Sequence, residues 1–166
     1  MTNKQIQELA KQISSMLSES NNKYKETEAL LYNYTGYKET IVRNKQRIDN
    51  IIQNGAEEKA KSNKGEYVQG GIKEYGGLPE EEIRQIDHIL EENSKLEKRV
   101  IRIENALIHI EDDEYQEIIT LRYFKNKSIE EIATHLDVNE KTIARNRTRI
   151  INKLQTILFS EIIIGY

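Results

Sequence analysis

The amino-acid sequence predicts an all-α protein, in which a long antiparallel helical hairpin precedes a small C-terminal helical domain. Three observations support this prediction. The chain has one proline among its 166 residues and is rich in Glu, Lys, Gln, Ile and Leu, a composition that favours helix. Apolar residues recur at helical spacing along two long segments. A third segment, near the C-terminus, begins with a helix-capping pattern.

These segments also predict the domain organisation. We expect residues 1–110 to form a helical coiled-coil and oligomerisation region, and residues 111–166 to form the C-terminal domain. Between the two long helices, residues 54–79 are rich in Gly, Lys and Glu, and the apolar pattern stops there. Such a long connection without apolar periodicity is typical of a mobile loop.

The first long segment carries a narrow apolar stripe at alternating steps of three and four residues, which begins with Ile6, Leu9, Ile13 and Met16. Polar residues between Ser18 and Asn22 have low helix propensity and predict a kink or break. The stripe resumes at Thr27 in the same heptad phase and continues to Ile51. One helix of about 50 residues and two helices in series both fit this pattern.

The second long segment begins at Pro79, which is followed by three glutamates, and this is a favourable helix start. Its heptad positions a and d are occupied over more than three heptads, which predicts a coiled-coil seam. These positions are Ile86, Ile89, Asn93, Leu96, Val100, Ile103, Leu107 and Ile110.

The two stripes fit each other as an antiparallel pair in which paired residue numbers sum to 137. This register matches Ile48 with Ile89 and places Asn44 opposite Asn93. A buried pair of amides costs stability but fixes the register, because a slip would leave both side chains unpaired in an apolar layer. The same pairing made between two chains is the alternative.

Residues 128–154 have the pattern of a helix-turn-helix motif. Ser128 and Glu131 have the spacing of a capping box, which starts the first helix. Asp137 lies in the turn, where a left-handed backbone is needed, and Asn139 is placed to cap the second helix. In such motifs the second helix lies in the DNA major groove. Its predicted buried stripe consists of Ile143, Ile150 and Leu154.

Charge is concentrated around this motif. The whole chain has a formal net charge of -3, but residues 122–153 contain eight Lys or Arg and four Asp or Glu, a local net charge of +4. A local basic surface of this kind is typical of proteins that bind the phosphate backbone. We therefore expect double-stranded DNA as a partner.

Other functional classes lack support in the sequence. No stretch approaches the roughly 20 apolar residues of a membrane span, and the absence of cysteine suits a cytoplasmic protein. The three histidines are scattered, and there is no phosphate-binding loop and no nucleophile-base set. We expect no enzymatic activity, no metal and no cofactor. An apolar run ends the chain, and we expect the N-terminal stripe or a second subunit to cover it.

The run from Glu114 to Leu154 resembles region 4 of sigma-70-type factors. The resemblance rests on a helix that ends in LRYF, a short basic link, the sequence EEIA, a turn, and Thr-Ile at the front of a basic helix. Asp137 departs from the pattern, because such turns usually carry Gly. Nothing resembles region 2 of a complete sigma factor. With its coiled-coil half and Tyr-Gly-Gly loop, the chain resembles phage late-gene activators of the ArpU/RinA type.

The resemblance implies roles for individual residues. The first two turns of the second helix would enter the major groove, and these turns carry Glu140, Lys141, Thr142, Ala144 and Arg145 as candidates for base contacts. Basic residues before the motif or further along the second helix would hold phosphates. These are Lys125, Lys127, Arg147, Arg149 and Lys153.

The resemblance also implies a function, namely sequence-specific regulation of transcription by a phage or prophage activator that acts at a promoter with RNA polymerase. We expect a homodimer or higher homo-oligomer in the cytoplasm of a bacterial host, because one small helix-turn-helix gives limited specificity. The alternative is a DNA-packaging adaptor of the small-terminase kind, which would form a closed ring and recognise packaging sites.

Overall fold

A computed structural model describes residues 3–62 and 78–160, with side chains described for residues 5–55 and 78–160. Every regular element in these ranges is helical, which confirms the all-α prediction. The elements are α1 (Asn3–Ser62), α2 (Glu80–Ile108), α3 (Glu117–Ile119), a π-helical turn that follows α3 directly (Thr120–Phe124), α4 (Ile129–His135) and α5 (Glu140–Ser160). None of the described helices is long and apolar enough to span a membrane.

Helix α1 is longer than the sequence predicts. It continues without a break between Ser18 and Asn22, where the sequence predicts a kink or break, because each polar residue there costs only a few tenths of a kcal/mol of helix propensity. The loop expected from residue 54 also begins later. The sequence AEEKAK at 56–61 consists of good helix formers, and α1 continues to Ser62. The paired glycines of the predicted loop and the apolar residues after 160 lie outside the described ranges.

Residue contacts group the chain into two units, residues 36–100 on the one hand and residues 1–35 with 101–166 on the other. This grouping crosses the domain boundary that the sequence predicts at residue 110. The reason is that Thr27 and Leu31 of α1 and the end of α2 are buried in the same unit as the C-terminal helices.

The unit of residues 36–100 is an antiparallel hairpin of α1 and α2 within one chain. Asn44 Nδ2 donates to Asn93 Oδ1 at 2.8 Å, in the register that the sequence predicts, and Asn93 is buried. Near the end of the hairpin, Leu78 packs over the buried Gly55, which leaves no room for a side chain at residue 55. The apolar cluster at this end comprises Ile48, Ile86 and Ile89, with Ile51, Ile52 and Leu78 against it.

The other unit has an apolar core to which α1, α2 and the C-terminal helices all contribute. From α1, Thr27 and Leu31 are fully buried. Leu30, which the register with a sum of 137 would pair with Leu107, is half-buried. Leu31 therefore marks a second face of α1. The other buried apolar residues of α2 and of the C-terminal helices in this unit include Ile103, Ala106, Ile110, Ile119, Tyr123, Ile150, Ile151, Leu154 and Leu158.

The helix that the sequence predicts to end in LRYF, at Phe124, differs in detail. It consists of turns, the short α3 and a π-helical turn, which the Lys125 N–H closes by donating to the Thr120 carbonyl at 3.0 Å. Both sides of this segment are buried. Leu121 packs into the cluster beneath α4 and α5, while Tyr123 is 3% exposed and contacts α1.

Candidate nucleic-acid interface

The start of α4 is fixed by the predicted capping box. The Glu131 N–H donates to Ser128 Oγ at 3.1 Å, and the Ser128 N–H donates to Glu131 Oε2 at 2.8 Å. The hydrogen bond from the Lys127 ammonium, together with the backbone hydrogen bond from Ser128, lowers the pKa of Glu131 to about 2. The carboxylate that completes the cap is therefore ionised throughout the physiological pH range.

The turn between α4 and α5 also has the predicted chemistry. Asp137 adopts φ 53°, the left-handed conformation in which Asp is one of the few tolerated residues. The next N–H, from Val138, donates to the Ala133 carbonyl at 3.0 Å, and both side chains belong to the packing beneath the turn. Asn139 then caps α5, because its Oδ1 accepts the Thr142 N–H at 2.9 Å.

Helix α5 buries one face and presents another to solvent. Ile143, Ile150 and Leu154 are fully buried, as the sequence predicts. Lys141 and Arg145 are exposed and lie nearly opposite the buried face at a helical period of 3.6. A concave surface between α4 and α5 includes both cations. Its other polar lining residues are Tyr115, Glu130, Thr134, Asp137, Asn139, Glu140 and Thr142.

The five candidates for base contacts therefore lie on one end of one helix. Glu140, Lys141, Ala144 and Arg145 are exposed, and all but Ala144 line the concave surface. Thr142 is half-buried, and its hydroxyl donates to Asn139 Oδ1 at 3.1 Å. This residue holds the helix cap in the unbound protein, a role that the sequence did not reveal.

Among the candidates for phosphate contacts, the three lysines are exposed. Lys125 and Lys153 are exposed. Lys127 is also exposed, although its ammonium lies 2.7 Å from Glu131 Oε1. An exposed pair of this kind at i and i+4 contributes a few tenths of a kcal/mol, so it leaves Lys127 available for a phosphate.

Arg149 has a different environment from the one expected. Its guanidinium donates two hydrogen bonds to Asp113, at 2.7 Å to Oδ2 and 2.8 Å to Oδ1. The Asp113 side chain is only 11% exposed, and the hydrogen bond from Arg149 lowers its pKa to about 2. Because this bidentate pair occupies both ends of the guanidinium fork, a phosphate contact by Arg149 would have to compete with Asp113.

Arg147 also has a different environment from the one expected, because it is partly buried. It is half-buried on the side of α5 that faces α1, where it interacts with Tyr24, Glu28 and Tyr123. A guanidinium in this position holds two elements of the protein together, and a phosphate would have to displace those contacts. The spacing of basic residues along α5 could not distinguish this inward-facing arginine from the outward-facing ones.

The contact between α1 and the C-terminal helices could not be read from the heptad pattern of the sequence. The Tyr123 hydroxyl donates to Glu28 Oε1 at 2.5 Å, and the Tyr123 ring packs edge-on against Tyr32 with centroids 4.6 Å apart. Desolvation of the hydroxyl and its bond to Glu28 raise the pKa of Tyr123. The spacing of Tyr24 and Leu31, seven residues apart on α1, is the signal that could have revealed this second face.

Two further residues of α5 lie on the exposed face. Thr148 and Asn152 follow Lys141 and Arg145 by seven residues each, which is two helical turns, and both are exposed. The Thr148 hydroxyl donates to the Ala144 carbonyl at 3.1 Å. Polar side chains of these types bind phosphate oxygens in many DNA complexes, so Asn152 and Thr148 extend the candidate interface along α5.

Comparison with protein families matches residues 112–154 to the family described as "Sigma-70, region 4". Comparisons of the chain with curated proteins and with solved structures gave no match. The matched residues span the interface described above, from Asp113 through α4 and most of α5. The C-terminal part of this chain thus carries a helix-turn-helix domain similar to sigma-70 region 4, which indicates DNA binding in the regulation of transcription.

Proposed function

We propose that this protein is a sequence-specific DNA-binding regulator of transcription that reads the major groove with the N-terminal half of α5. One observation carries the proposal. In a domain similar to sigma-70 region 4, the capped start of α5 presents exposed Lys141 and Arg145 on the face opposite its buried stripe. A major groove admits such a helix, and long cationic side chains there reach base edges.

The proposed contacts follow from side-chain chemistry. Arg145 donates to the O6 and N7 acceptors of a guanine, Glu140 accepts from a cytosine amino group, and Ala144 contacts a thymine methyl group. Lys141 makes an additional contact at the edge of the major groove. Thr142 contributes mainly by hydrogen bonding to Asn139, which caps α5. The phosphate contacts are assigned to Lys125, Lys127 and Lys153, which orient the helix without reading sequence.

The finer proposal is an activator encoded by a phage or prophage, of the ArpU/RinA type, which acts with RNA polymerase in the cytoplasm of a bacterial host. It is supported by the combination of a region 4-like domain with a long helical hairpin. In this proposal the protein acts by binding, without catalysis, as a homodimer or higher homo-oligomer. The hairpin sets the oligomer geometry or contacts the polymerase.

The test of base reading is Arg145→Ala. Preferred sequences are first selected from a library of random-sequence duplex DNA with the full-length protein. With the selected duplex, we expect affinity to fall about 5- to 150-fold and the preference at one base pair to relax, because a bidentate contact is lost. Unchanged affinity and unchanged preference in this variant would show that the assignment of α5 to the groove is wrong.

The companion variant Lys153→Ala removes a proposed phosphate contact. It should weaken binding to selected and unselected duplexes alike, and reduce the slope of log affinity against log salt concentration by about one. Lys98→Ala is the matched control, since Lys98 is an exposed basic residue of α2. If Lys98→Ala weakens binding as much as Lys153→Ala does, the effect comes from the loss of one positive charge and not from a phosphate contact of Lys153.

Genome-wide DNA footprints in the host would test the finer proposal. An activator should protect one or a few promoters, and transcription from them should fall when Arg145→Ala replaces the wild type. Protection of a packaging site by a closed ring of subunits would instead establish the DNA-packaging adaptor.

A further inference from the structure

The N-terminal end of α1 carries an apolar stripe on the surface. Ile6, Leu9, Ile13 and Met16 are 51%, 46%, 48% and 71% exposed, respectively. They occupy alternating a and d positions over two heptads, and their helix is unbroken. Within residues 6–16 the large apolar side chains occupy only a and d positions, which is the pattern of a two-helix coiled-coil seam.

This stripe continues the seam that α1 uses elsewhere. Thirty-five residues further along, Ile41 and Ile48 occupy the same heptad position as Ile6 and Ile13, and they are buried in the hairpin. Helix α2 ends at Ile108, and its register with α1 pairs that end with residue 29. Residues 6–16 therefore continue the apolar heptad pattern of α1 beyond residue 29, where α2 has no residue left to pair with it.

We propose that a second copy of this chain covers the stripe, and that residues 6–16 of two copies pair as a coiled coil. The partner must present an equally narrow apolar stripe, and an identical segment does so by symmetry. This inference deepens the proposed homo-oligomeric regulator, on which it rests, by assigning the contact to one surface.

The flanks of the stripe favour pairing between identical copies. Heptad positions e and g, which border the seam, are occupied by Gln5, Ala10, Gln12 and Leu17. None is charged, so two copies approach without repulsion between like charges. The charged residues of this segment, Glu8 and Lys11, lie at positions c and f and face away from the seam. Leu17, which is 61% exposed, widens the apolar contact on one side.

A seam of two heptads is short, and helix formation usually makes short coiled coils unstable. Here residues 6–16 extend a helix that is already held at Thr27 and Leu31, both fully buried. The cost of nucleating the helix is therefore met within each chain, and pairing has to order only the side chains of the stripe.

The test is the mass of the full-length protein in solution, measured without DNA by light scattering after size-exclusion chromatography over about a tenfold range of concentration. The variant Ile6→Glu/Ile13→Glu places charges in the seam and should convert the oligomer to a monomer. The matched control Gln7→Glu/Ser14→Glu adds the same charges at the same spacing, one residue away at exposed position b, and should remain associated. Far-UV circular dichroism checks that each variant keeps its helix content, and Ile6→Leu/Ile13→Leu should retain the wild-type mass.

Three outcomes would overturn the proposal. A monomeric wild type would mean that another segment of the chain, or a different protein, covers the stripe. An oligomer that survives Ile6→Glu/Ile13→Glu would place the contact elsewhere. Dissociation by Gln7→Glu/Ser14→Glu as well would attribute the effect to charge alone. DNA binding by the Arg145→Ala variant is measured separately, so a failure of the proposed function leaves this result interpretable.

Discussion

Asp113 and Arg149 form a bidentate ion pair that joins the loop before α3 to α5. The carboxylate also accepts the Tyr115 N–H at 3.0 Å, so one side chain orders the loop and holds the helix. Because Asp113 is largely buried, its charge is stabilised by these donors more than by water. Arg149 thus serves the folded state, whereas Arg145, one helical turn earlier, has its guanidinium on the exposed face of α5.

The pair predicts a pH dependence of stability. The folded-state pKa of Asp113 is about 2, below its ordinary value of 3.8, so the ionised carboxylate favours folding above about pH 4. Asp113→Asn should lower the free energy of unfolding by about 2 kcal/mol at pH 7. The difference from wild type should shrink as the pH falls from 4 towards 2, where the wild-type carboxyl protonates. Urea denaturation at a series of pH values measures it.

The matched control is Glu91→Gln. Glu91 pairs with Lys95 at 2.7 Å, but both side chains are about two-thirds exposed. Water screens this pair, so its removal should leave the free energy of unfolding nearly unchanged at pH 7. Equal losses of unfolding free energy in the two variants would show that burial does not strengthen the Asp113–Arg149 pair.

Among the helical elements, the most predictable were those whose starts are fixed by residues close together in the sequence. Ser128 and Glu131 are three residues apart, and Asn139 precedes α5 directly, so caps and helix starts could be read from neighbouring residues. The π-helical turn and the left-handed Asn126, φ 54°, could not. Their backbone geometry depends on burying Leu121 and Tyr123 on opposite sides, which is a tertiary requirement.

The Asn44–Asn93 pair gives a prediction for the hairpin. Asn44→Leu leaves the buried Asn93 amide, 4% exposed, without its partner, and should cost about 1–3 kcal/mol of unfolding free energy. The double variant Asn44→Leu/Asn93→Leu removes both amides and should recover most of that loss. Urea denaturation of the two single variants and the double variant measures the coupling. Additive losses in the double variant would contradict a specific amide pair.

At the scale of the molecule, the heptad pattern predicted the hairpin of α1 and α2. It did not predict that α1 also packs against the C-terminal helices. The a and d positions of Ile41, Asn44 and Ile48 repeat regularly and indicate one partner helix. The contact made by Glu28 could not be predicted in this way, because a glutamate on a helix usually faces water. Its role depends on Tyr123, which is 95 residues away in the sequence, and only the folded structure brings the two together.

Removal of the Tyr123 hydroxyl tests this contact. Tyr123→Phe keeps the ring but leaves the Glu28 carboxylate without its donor, so we expect a loss of about 1.5–3 kcal/mol in unfolding free energy. Thermal and urea denaturation of the full-length protein measure it. Tyr32→Phe is the control, since it removes a hydroxyl from a neighbouring ring that is 41% exposed, and it should change stability little. Equal losses would show that the Glu28 contact has no special role.

The end of α5 also depends on α2. Arg102 donates from Nε to the Leu158 carbonyl at 3.0 Å and contacts the same oxygen through Nη2, so a side chain of α2 satisfies one of the last carbonyls of the proposed recognition helix. A graft of residues 111–166 onto another protein would lose this cap together with Glu28. We therefore expect the grafted segment to be less stable than the same residues in the full-length chain. To keep the stability of this region, a chimera should include Glu28 and Arg102 together with the parts of α1 and α2 that contain them.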